Sequence, residues 1–395
     1  MSSAMNKPRF QGRRVKLGDV ISKAKVERCG KRQFPALSMT MHGGIVEQRD
    51  RFKKEIASKD TSSYKVVRSG QLVVGFPIDE GVIYVQNHTF TGIMSPAYSV
   101  WDVNTAKVDP TYLELALHGP RSMLYFSEKM RGTTARRRSI TPENLCALEI
   151  PLPSKEVQKS IASMFFSLKR LIRNRRFYLA KLDDLRKSRF VEMFGDPVGG
   201  NAWPMRQLNE LYRIGSSKRI YAKDLVKGGV PFYRLADVGC LADGTNPSVD
   251  SYITEERYAG LKAAGYVPGA DDILVTSRGT LGKCYIVSGE DKFYFQDGMI
   301  TWLARTGMSP RSRYLVALFS NNSFAKNLSD SCSGTTVRYL SISDLAKMRV
   351  PVPPMDLQDE YLAFVRQVDK LESAARASID KLQTLYDSLA QEYFG

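Results

Sequence analysis

The sequence predicts an α+β protein made of two similar halves, each a mixed α/β globule followed by one long helix. Three observations lead to this fold class. A stretch of the chain recurs about 200 residues later, short apolar segments typical of strands occur inside each half, and each half ends in about forty residues of helical periodicity. A repeat of this length indicates a duplicated domain, because solenoid units span only a few tens of residues.

The duplication is most evident at two related stretches, RGTTARRRSIT at residues 131–141 and SGTTVRYLSIS at residues 333–343. The first copy continues as PENLCALEIPLPSKEVQ and ends in VEMFG at Gly195, whereas the second continues as DLAKMRVPVPPMDLQ and ends in QEYFG at Gly395. The following residues recur 200 positions later without a gap: Leu145, Pro151, Pro153, Gln158, Lys181, Leu182, Leu185, Glu192, Phe194 and Gly195.

The globules contain short runs rich in β-branched and aromatic residues, which predict strands within 64–76 and 81–85 in the first globule and within 272–277, 282–287 and 299–304 in the second. Short helices are predicted after Pro110 and after Pro310. The Gly- and Pro-rich segment 191–201 marks the boundary between the halves. Between their matched edges the two globules hardly align, so we expect a shared frame with different contents.

A long helix is predicted after PLP in the first half and after PVPP in the second, because apolar residues recur there at alternating three- and four-residue spacing without internal Pro or Gly. About forty residues at ~1.5 Å per residue give a rod of roughly 60 Å. The predicted pairing seam comprises Ile161, Met164, Leu168, Leu171, Arg175, Tyr178, Leu182 and Leu185 in the first helix, and Tyr361, Phe364, Val368, Leu371, Ala375, Ser378, Leu382 and Leu385 in the second.

Charge indicates the partner of each helix. Residues 154–195 contain eleven basic and four acidic side chains, whereas residues 354–395 contain four basic and eight acidic ones. Complementary charges that flank a seam select partners in coiled coils, so we infer that the two helices pair with each other. The alternative is that each helix folds onto its own globule.

The net charge of +17 is concentrated in the first half of the chain. Residues 1–197 contain 35 basic and 19 acidic side chains, and the remainder contains 23 and 22. A basic surface of this size favours polyanions, because each neutralised phosphate releases counterions. The alternative is a charge that only keeps the protein in solution. Nucleic acid is the favoured class of partner.

Composition also predicts a location. The N-terminal segment lacks an apolar stretch, so no secretory signal is expected, and no run of eighteen apolar residues predicts a membrane span. The five cysteines are scattered with no C-x-x-C pair, which favours reduced thiols and argues against structural zinc. We therefore predict a cytoplasmic protein that binds no metal and does not contact a membrane.

Motifs for catalysis are lacking in the sequence. The stretch GTLGKC at 279–284 lacks the full spacing of a phosphate loop and the Ser or Thr after Lys, so a β-turn is the favoured interpretation. The patterns G-x-G-x-x-G, G-x-S-x-G and H-E-x-x-H do not occur. The carboxylate pairs at 255–256 and 271–272 are interpreted as solvated. We predict that the chain has no catalytic residue and is not an enzyme.

Loops that combine Arg, Lys, Thr and Tyr are the candidates for contacting DNA. Arg can bind guanine through two hydrogen bonds, and Lys and Thr can bind phosphates. Each such loop could instead be a solvated turn. The candidate residues are Arg51, Lys53, Lys54, Arg136, Arg137, Lys227, Tyr233, Arg234, Ser277, Arg278, Thr280, Lys283 and Arg338.

The duplicated pattern GTT…SI…L…(I/V)P(L/V)P…Q, followed each time by a long helix ending in Phe-Gly, resembles the specificity subunit of type I restriction–modification systems. The resemblance extends from VKLGDVI at 15–21 to QEYFG at 391–395. It implies two target-recognition domains that each read one half of a split, asymmetric DNA sequence. It further implies that two long antiparallel helices form a coiled coil between them, with pseudo-twofold symmetry.

The resemblance also implies partners. Two modification subunits would bind this chain and methylate adenine from S-adenosylmethionine, and restriction subunits that use ATP and Mg would join them. This chain itself would carry no cofactor. The nearly neutral second half departs from a uniformly basic DNA-binding protein, so its DNA contact is expected to be more localised.

The predicted domain boundaries are 1–153 for the first target-recognition domain, 154–197 for the first spacer helix, 198–353 for the second target-recognition domain and 354–395 for the second spacer helix. Two alternatives remain: a non-catalytic coiled-coil scaffold without a DNA role, and the remnant of a fused restriction–methylation enzyme. The second would need a catalytic domain, for which no residues are left over. A scaffold would show no steep salt dependence of binding to random duplex DNA.

Overall fold

The structure is a computed structural model that describes residues 13–41, 43–51, 60–134, 138–199, 202–279, 281–330 and 339–395. The chain forms two compact units. The first unit comprises residues 1–176 together with 376–395, and the second unit comprises residues 177–375. Both units contain helices and short strands, as the predicted α+β class requires.

The first unit is built on short strands, of which four form its main antiparallel sheet. The strands are β1 (Arg14–Lys16), β2 (Ile21–Lys23), β3 (Leu37–Met39), β4 (Ile45–Glu47), β5 (Lys65–Val67), β6 (Leu72–Val74), β7 (Ile83–Val85), β8 (Gly92–Met94), β9 (Ser99–Val103) and β10 (Glu149–Pro151). The helices are α1 (Gln48–Arg51), α2 (Pro110–Leu117), α3 (Pro120–Lys129), α4 (Pro142–Ala147) and the N-terminal part of α5 (Lys155–Phe194).

The second unit repeats this plan. Its strands are β11 (Met205–Gln207), β12 (Tyr212–Gly215), β13 (Val230–Tyr233), β14 (Tyr252–Ile253), β15 (Ile273–Thr276), β16 (Cys284–Ile286), β17 (Tyr294–Phe295), β18 (Ile300–Arg305) and β19 (Arg349–Pro351). Its helices are α6 (Leu208–Leu211), α7 (Leu235–Ala242), α8 (Glu255–Ala263), α9 (Ser312–Phe319), α10 (Asn322–Asp330), α11 (Ile342–Lys347) and the N-terminal part of α12 (Met355–Phe394). The predicted strands and the helices near Pro110 and Pro310 are confirmed.

The main sheets of the two units have the same strand order. In the first unit the order is β2–β9–β6–β7, and in the second it is β12–β18–β15–β16, with antiparallel neighbours throughout. A second pairing is also repeated, because β1 pairs with β10 as β11 pairs with β19. The shared frame therefore extends into the globules, further than the sequence comparison indicated.

The units differ in what lies between the first and the second strand, in chain order, of each main sheet. Residues 24–71 of the first unit contain the hairpin β3–β4, helix α1 and strand β5. Residues 216–272 of the second unit contain β13 and β14 with the helices α7 and α8. The predicted difference in contents is thus evident in these inserts on a common sheet.

The repeated residues maintain the frame. The Tyr112 hydroxyl donates to the carbonyl oxygen of Pro151, and the Tyr314 hydroxyl donates to that of Pro351, both at 3.0 Å. Burial raises the pKa of both phenols, so they stay protonated donors. Gln158, also repeated, is completely buried and donates to the carbonyl oxygen of Pro153 at 2.8 Å. Because these side chains join the helix start to the globule, both copies retain them.

In the first unit, the beginning of α5 packs against the end of α12. The ring of Phe165 lies 4.9 Å from that of Tyr386 and 5.7 Å from that of Phe394. Phe394 also contacts the turn between α2 and α3, where a β-carbon on Gly119 would lie 2.3 Å from the Phe394 β-carbon. Only glycine permits this approach. The two helix segments run antiparallel.

In the second unit, the end of α5 packs against the beginning of α12, again antiparallel. The ring of Phe190 lies 5.6 Å from that of Tyr361, and the pair is flanked by ion pairs. Arg186 pairs with Glu372 and, at 3.5 Å, with Asp369. The guanidinium of Arg189 lies 3.1 Å from the carboxylate of Glu360, also on α12. The predicted pairing of a basic with an acidic helix is confirmed within this unit.

The predicted seam of α5 is correct at three of its positions and wrong at Leu171, Arg175 and Leu185, which are exposed. Ile161, Leu168 and Leu182 are at most 7% exposed, but Leu171 and Leu185 are 45% and 46% exposed. After Ile161 and Leu168, the next buried residue of the pairing face lies four positions on and not three. Phe165 and Ile172 occupy these places, whereas Met164 is half-buried.

The same correction applies to α12. Val368 is buried, Phe364 and Leu382 are half-buried, and Leu371 and Leu385 are 48% and 43% exposed. The physical reason is that apolar residues follow Ile161, Leu168 and Tyr361 at both i+3 and i+4, and there the i+4 residue is the buried one. After Leu182 and Val368 the i+4 residues, Arg186 and Glu372, form an ion pair with each other. The exposed i+3 leucines, Leu171, Leu185, Leu371 and Leu385, are called the exposed apolar stripe below.

No helix in the described part of the chain combines the length and the apolar composition needed to cross a membrane.

Candidate nucleic-acid interface

Two equivalent turns of the common sheet differ in charge. The turn between β6 and β7 carries Asp79 and Glu80, and the guanidinium of Arg138 forms ion pairs with both carboxylates. The turn between β15 and β16 carries Arg278 and Lys283 instead. The acidic turn is neutralised within the first unit, whereas the turn of the second unit presents cations. The second unit therefore offers the better phosphate-binding turn.

Arg278 is the most accessible cation of this turn. Its backbone forms an isolated bridge with Tyr339, its side chain is exposed, and its guanidinium forms no ion pair with a described residue. Together with Lys283 it lines a cleft of about 290 Å³ beside α7. The ammonium of Lys283 is held by Asp243, the residue that follows α7. A free guanidinium next to an anchored ammonium can bind a phosphate or the edge of a guanine.

Other candidates near this turn have structural contacts. Ser277 is only 2% exposed, and its hydroxyl is hydrogen-bonded to that of Thr301 at 2.6 Å, so we leave it out of the proposed interface. Arg234 precedes α7 and donates to the Ser251 hydroxyl at 3.0 Å. Lys227 is exposed in the loop before β13.

Tyr233 is half-buried at the end of β13, where its ring lies 4.8 Å from that of Phe293. Burial and then the nearby carboxylate of Asp291 raise the pKa of its phenol. The hydroxyl therefore remains a hydrogen-bond donor at neutral pH. The Tyr233 ring therefore has a packing role in the second unit.

The remaining candidates lie at the end of a short helix or outside the described residues. Arg51 ends helix α1. Lys53, Lys54, Arg136, Arg137, Thr280 and Arg338 lie outside the described residues. On either side of the undescribed residues 135–137, the backbone amide of Arg131 donates to the carbonyl of Ser139 at 2.8 Å.

Sequence reasoning missed a second group of basic and aromatic side chains in the same unit. The ammonium of Lys218 lies 5.5 Å from the ring of Tyr266, and both residues line a cleft of about 440 Å³ with Arg257. Arg219 lies 6.0 Å from the ring of Tyr221. The sequence signal for this group was the pair Lys218 and Arg219 shortly before Tyr221, because cations can stack on an exposed aromatic ring. Within the described ranges, no group of three or more His, Cys, Asp or Glu residues could hold a metal ion.

Comparison with known proteins gives a consistent result. Residues 201–382 match the family model of the type I restriction modification DNA specificity domain. A putative type I restriction enzyme specificity subunit of Haemophilus influenzae is 24% identical over 265 residues, which cover 65% of this chain. The match spans 64% of the length of that relative.

Solved structures share the fold at low sequence identity. One, from work on complex assembly and conformational transition of the type I R–M system, has a TM-score of 0.63 at 18% identity and covers 97% of this chain and 98% of its own. The S subunit of a type I restriction–modification system from M. genitalium has a TM-score of 0.54 at 15% identity and covers 100% and 98%. With the duplicated sheet and paired helices described above, the match of residues 201–382 shows that this part of the chain is similar to the type I restriction modification DNA specificity domain.

Proposed function

We propose that this chain is the non-catalytic DNA-reading subunit of a type I restriction–modification complex. Each globule reads one half of a two-part, asymmetric DNA target, and the chain docks the subunits that methylate and cut. The observation that carries the proposal is the repetition of one sheet with different inserts, at residues 24–71 and 216–272. A common frame places two readers in equivalent settings, while different inserts give them different sequence preferences.

The charge of the chain supports double-stranded DNA as the ligand. The net charge is +17, and exposed cations of the second unit lie at the β15–β16 turn and beside the ring of Tyr266. Lys and Arg bind phosphates and release counterions, and Arg also reads guanine. In the second unit the contact is localised in these two clefts, which agrees with its balance of 23 basic and 22 acidic residues after residue 197.

The proposed partners are two modification subunits, which would carry S-adenosylmethionine, and restriction subunits, which would carry ATP and Mg. The exposed apolar stripe of the long helices supports protein docking, since Leu171, Leu185, Leu371 and Leu385 are each 43–48% exposed. We place the complex in the cytoplasm. The functional division remains the proposed one, with target-recognition domains at 1–153 and 198–353 and spacer helices at 154–197 and 354–395.

The activity of the chain by itself tests this proposal. Incubated with mixed-sequence duplex DNA and radiolabelled S-adenosylmethionine, the purified chain is expected to transfer no methyl group, because methyl transfer belongs to the modification subunit. Addition of the modification subunit encoded beside it should give adenine methylation at a single two-part sequence. Methyl transfer by the chain alone, or methylation that ignores sequence when both are present, contradicts the proposal.

Substitution of Arg278 tests the second reader. Arg278→Ala is expected to weaken binding to the DNA sequence that the methylation experiment identifies as the target. The expected loss is roughly 5- to 150-fold, equivalent to about 1–3 kcal/mol, because alanine cannot donate the hydrogen bonds of the guanidinium. Fluorescence anisotropy with target and scrambled duplexes measures the change. Lys292→Ala is the matched control, because its ammonium is paired with Glu255 at 2.8 Å and should contribute little. Equal affinities of the Arg278 variant and the control would remove Arg278 from the interface.

A further inference from the structure

The cations of α5 are only partly explained by helix pairing. Of its eleven basic side chains, Arg186 and Arg189 form ion pairs with α12 within the second unit. Lys181 and Lys187 pair with acidic residues of α5 itself, at 3.1 and 2.7 Å. The complementary charge that predicted the pairing therefore accounts for the C-terminal part of α5 and not for the rest.

The N-terminal part of α5, in the first unit, carries cations without ionic partners. Six side chains are exposed and form no ion pair with any residue in the described part of the chain: Lys159, Lys169, Arg170, Arg173, Arg175 and Arg176. No acidic residue occurs between residues 157 and 182. The α12 segment packed beside them, residues 376–395, contains two basic and three acidic side chains. This leaves a strongly positive surface on the paired segments of the first unit.

Three of these cations line one groove. Lys169, Arg173 and Arg176 follow each other at four- and three-residue spacing, which places them on the same face of α5. With Ile172 and two α12 residues, Gln383 and Tyr386, they enclose a groove of about 330 Å³. The Lys169 ammonium lies 5.8 Å from the ring of Tyr386. The carboxylate of Asp387, on α12, accepts a hydrogen bond from the Gln383 side chain at 3.0 Å.

The dimensions of this surface fit a duplex backbone. The three cations span seven residues of helix, ~10 Å at 1.5 Å per residue. Duplex DNA presents one negative charge per ~1.7 Å of its axis, or about six over this distance. The major groove is ~12 Å wide and admits one helix. Because α5 is packed against α12 here, the pair is too wide to enter a groove and can reach phosphates only.

We propose that the groove formed by Lys169, Arg173 and Arg176 binds the phosphate backbone of duplex DNA at base pairs whose sequence the protein does not read. This inference rests on the proposed function, since it adds a contact to a DNA-binding protein. The contact strengthens binding to every sequence equally. This DNA contact also gives α5 a role in addition to pairing with α12 and to the protein docking proposed for the exposed apolar stripe.

The test compares two double variants of the full chain, co-purified with its modification subunits. In Lys169→Gln/Arg173→Gln, two groove cations are removed, while Gln keeps the helix propensity close to that of Lys and Arg. In the control, Lys181→Gln/Lys187→Gln, two cations that are already paired with Asp184 and Asp183 are removed from the same helix. Binding to a mixed-sequence duplex and to the target duplex is measured at salt concentrations between about 50 and 200 mM.

The groove variant is expected to lower the slope of log K against log salt concentration by about 1.8, at ~0.9 for each phosphate that is no longer neutralised. Affinity should fall by the same factor for both duplexes, so the specificity ratio stays unchanged, and the control should keep the slope of the wild-type protein. A groove variant with the wild-type slope, or one that binds only the target more weakly, overturns the proposal.

The remaining outcomes concern the binding of the modification subunits to the groove variant and the DNA binding of the wild-type complex. Dissociation of the modification subunits from the groove variant, with DNA binding retained, would assign the groove to an acidic protein surface and overturn the DNA contact. If the wild-type complex itself shows no salt-dependent DNA binding, the proposed function fails and this contact fails with it. The two failures are therefore distinguished by the wild-type measurement.

Discussion

Phe190→Ala is expected to lower the free energy of unfolding of the second unit by about 3–5 kcal/mol, the range for removing a buried aromatic side chain. Phe190 is 2% exposed, and its ring lies 4.9 Å from that of Phe194, 5.6 Å from Tyr361 and 5.7 Å from Tyr314. The substitution leaves a cavity where both long helices meet the globule. Urea unfolding of the full chain, followed by tyrosine and tryptophan fluorescence, measures the destabilisation.

Leu185→Ala provides the control on the same helix. Leu185 is 46% exposed, although its heptad position predicted it for the seam. Its truncation should change the unfolding free energy by less than about 0.5 kcal/mol, as surface substitutions generally do. If the two variants were destabilised equally, the assignment of the buried face of α5 would be wrong.

Exchange of residues 212–330 for the corresponding segment of another specificity subunit is expected to replace one half of the recognised sequence and leave the other half intact. The segment contains the main sheet, α7 to α10 and both basic clefts of the second unit. It leaves β11, α6, α11 and β19 of the frame in place, whereas Tyr314 is exchanged with the segment. Mapping of methylated adenines in cells that also produce the modification subunit gives the new sequence directly.

The reciprocal exchange, of residues 21–130 in the first unit, should change only the other half of the target. It is the matched control, because it replaces the equivalent sheet and the helices α2 and α3. Altered recognition in both halves after either single exchange would show that the two globules do not read independently. The domain division proposed above would then have to be abandoned.

Much of the fold follows from local sequence signals. The long helices Lys155–Phe194 and Met355–Phe394 lie where uninterrupted heptads predicted them. The face that pairs could not be deduced, because apolar residues occur both three and four positions after Ile161. Met164 and Phe165 are equally apolar, and only the contacts of Phe165 with Tyr386 and Phe394 decide between them. Side-chain contacts between distant segments are not encoded in periodicity.

The candidate site could be predicted less well, for a related reason. Residue type marked Arg278 and Ser277 alike, but burial separates them, since Ser277 lies within the sheet beside Thr301. The guanidinium of Arg138, in turn, forms ion pairs with Asp79 and Glu80, which are almost sixty residues away in sequence. Whether a basic side chain is available to bind DNA depends on such distant carboxylates. Their positions in space cannot be deduced from composition.

The contact of Phe394 with Gly119 and Tyr112 has a consequence for the order in which the protein is completed on the ribosome. The first unit needs residues 376–395, whereas the second unit is one continuous stretch, residues 177–375. At ~5–20 residues per second, the intervening two hundred residues take roughly 10–40 s to synthesise. During that time the place of Phe394 in the earlier core stays empty. The first unit, most of which is synthesised before the second, is therefore the unit whose core is completed last.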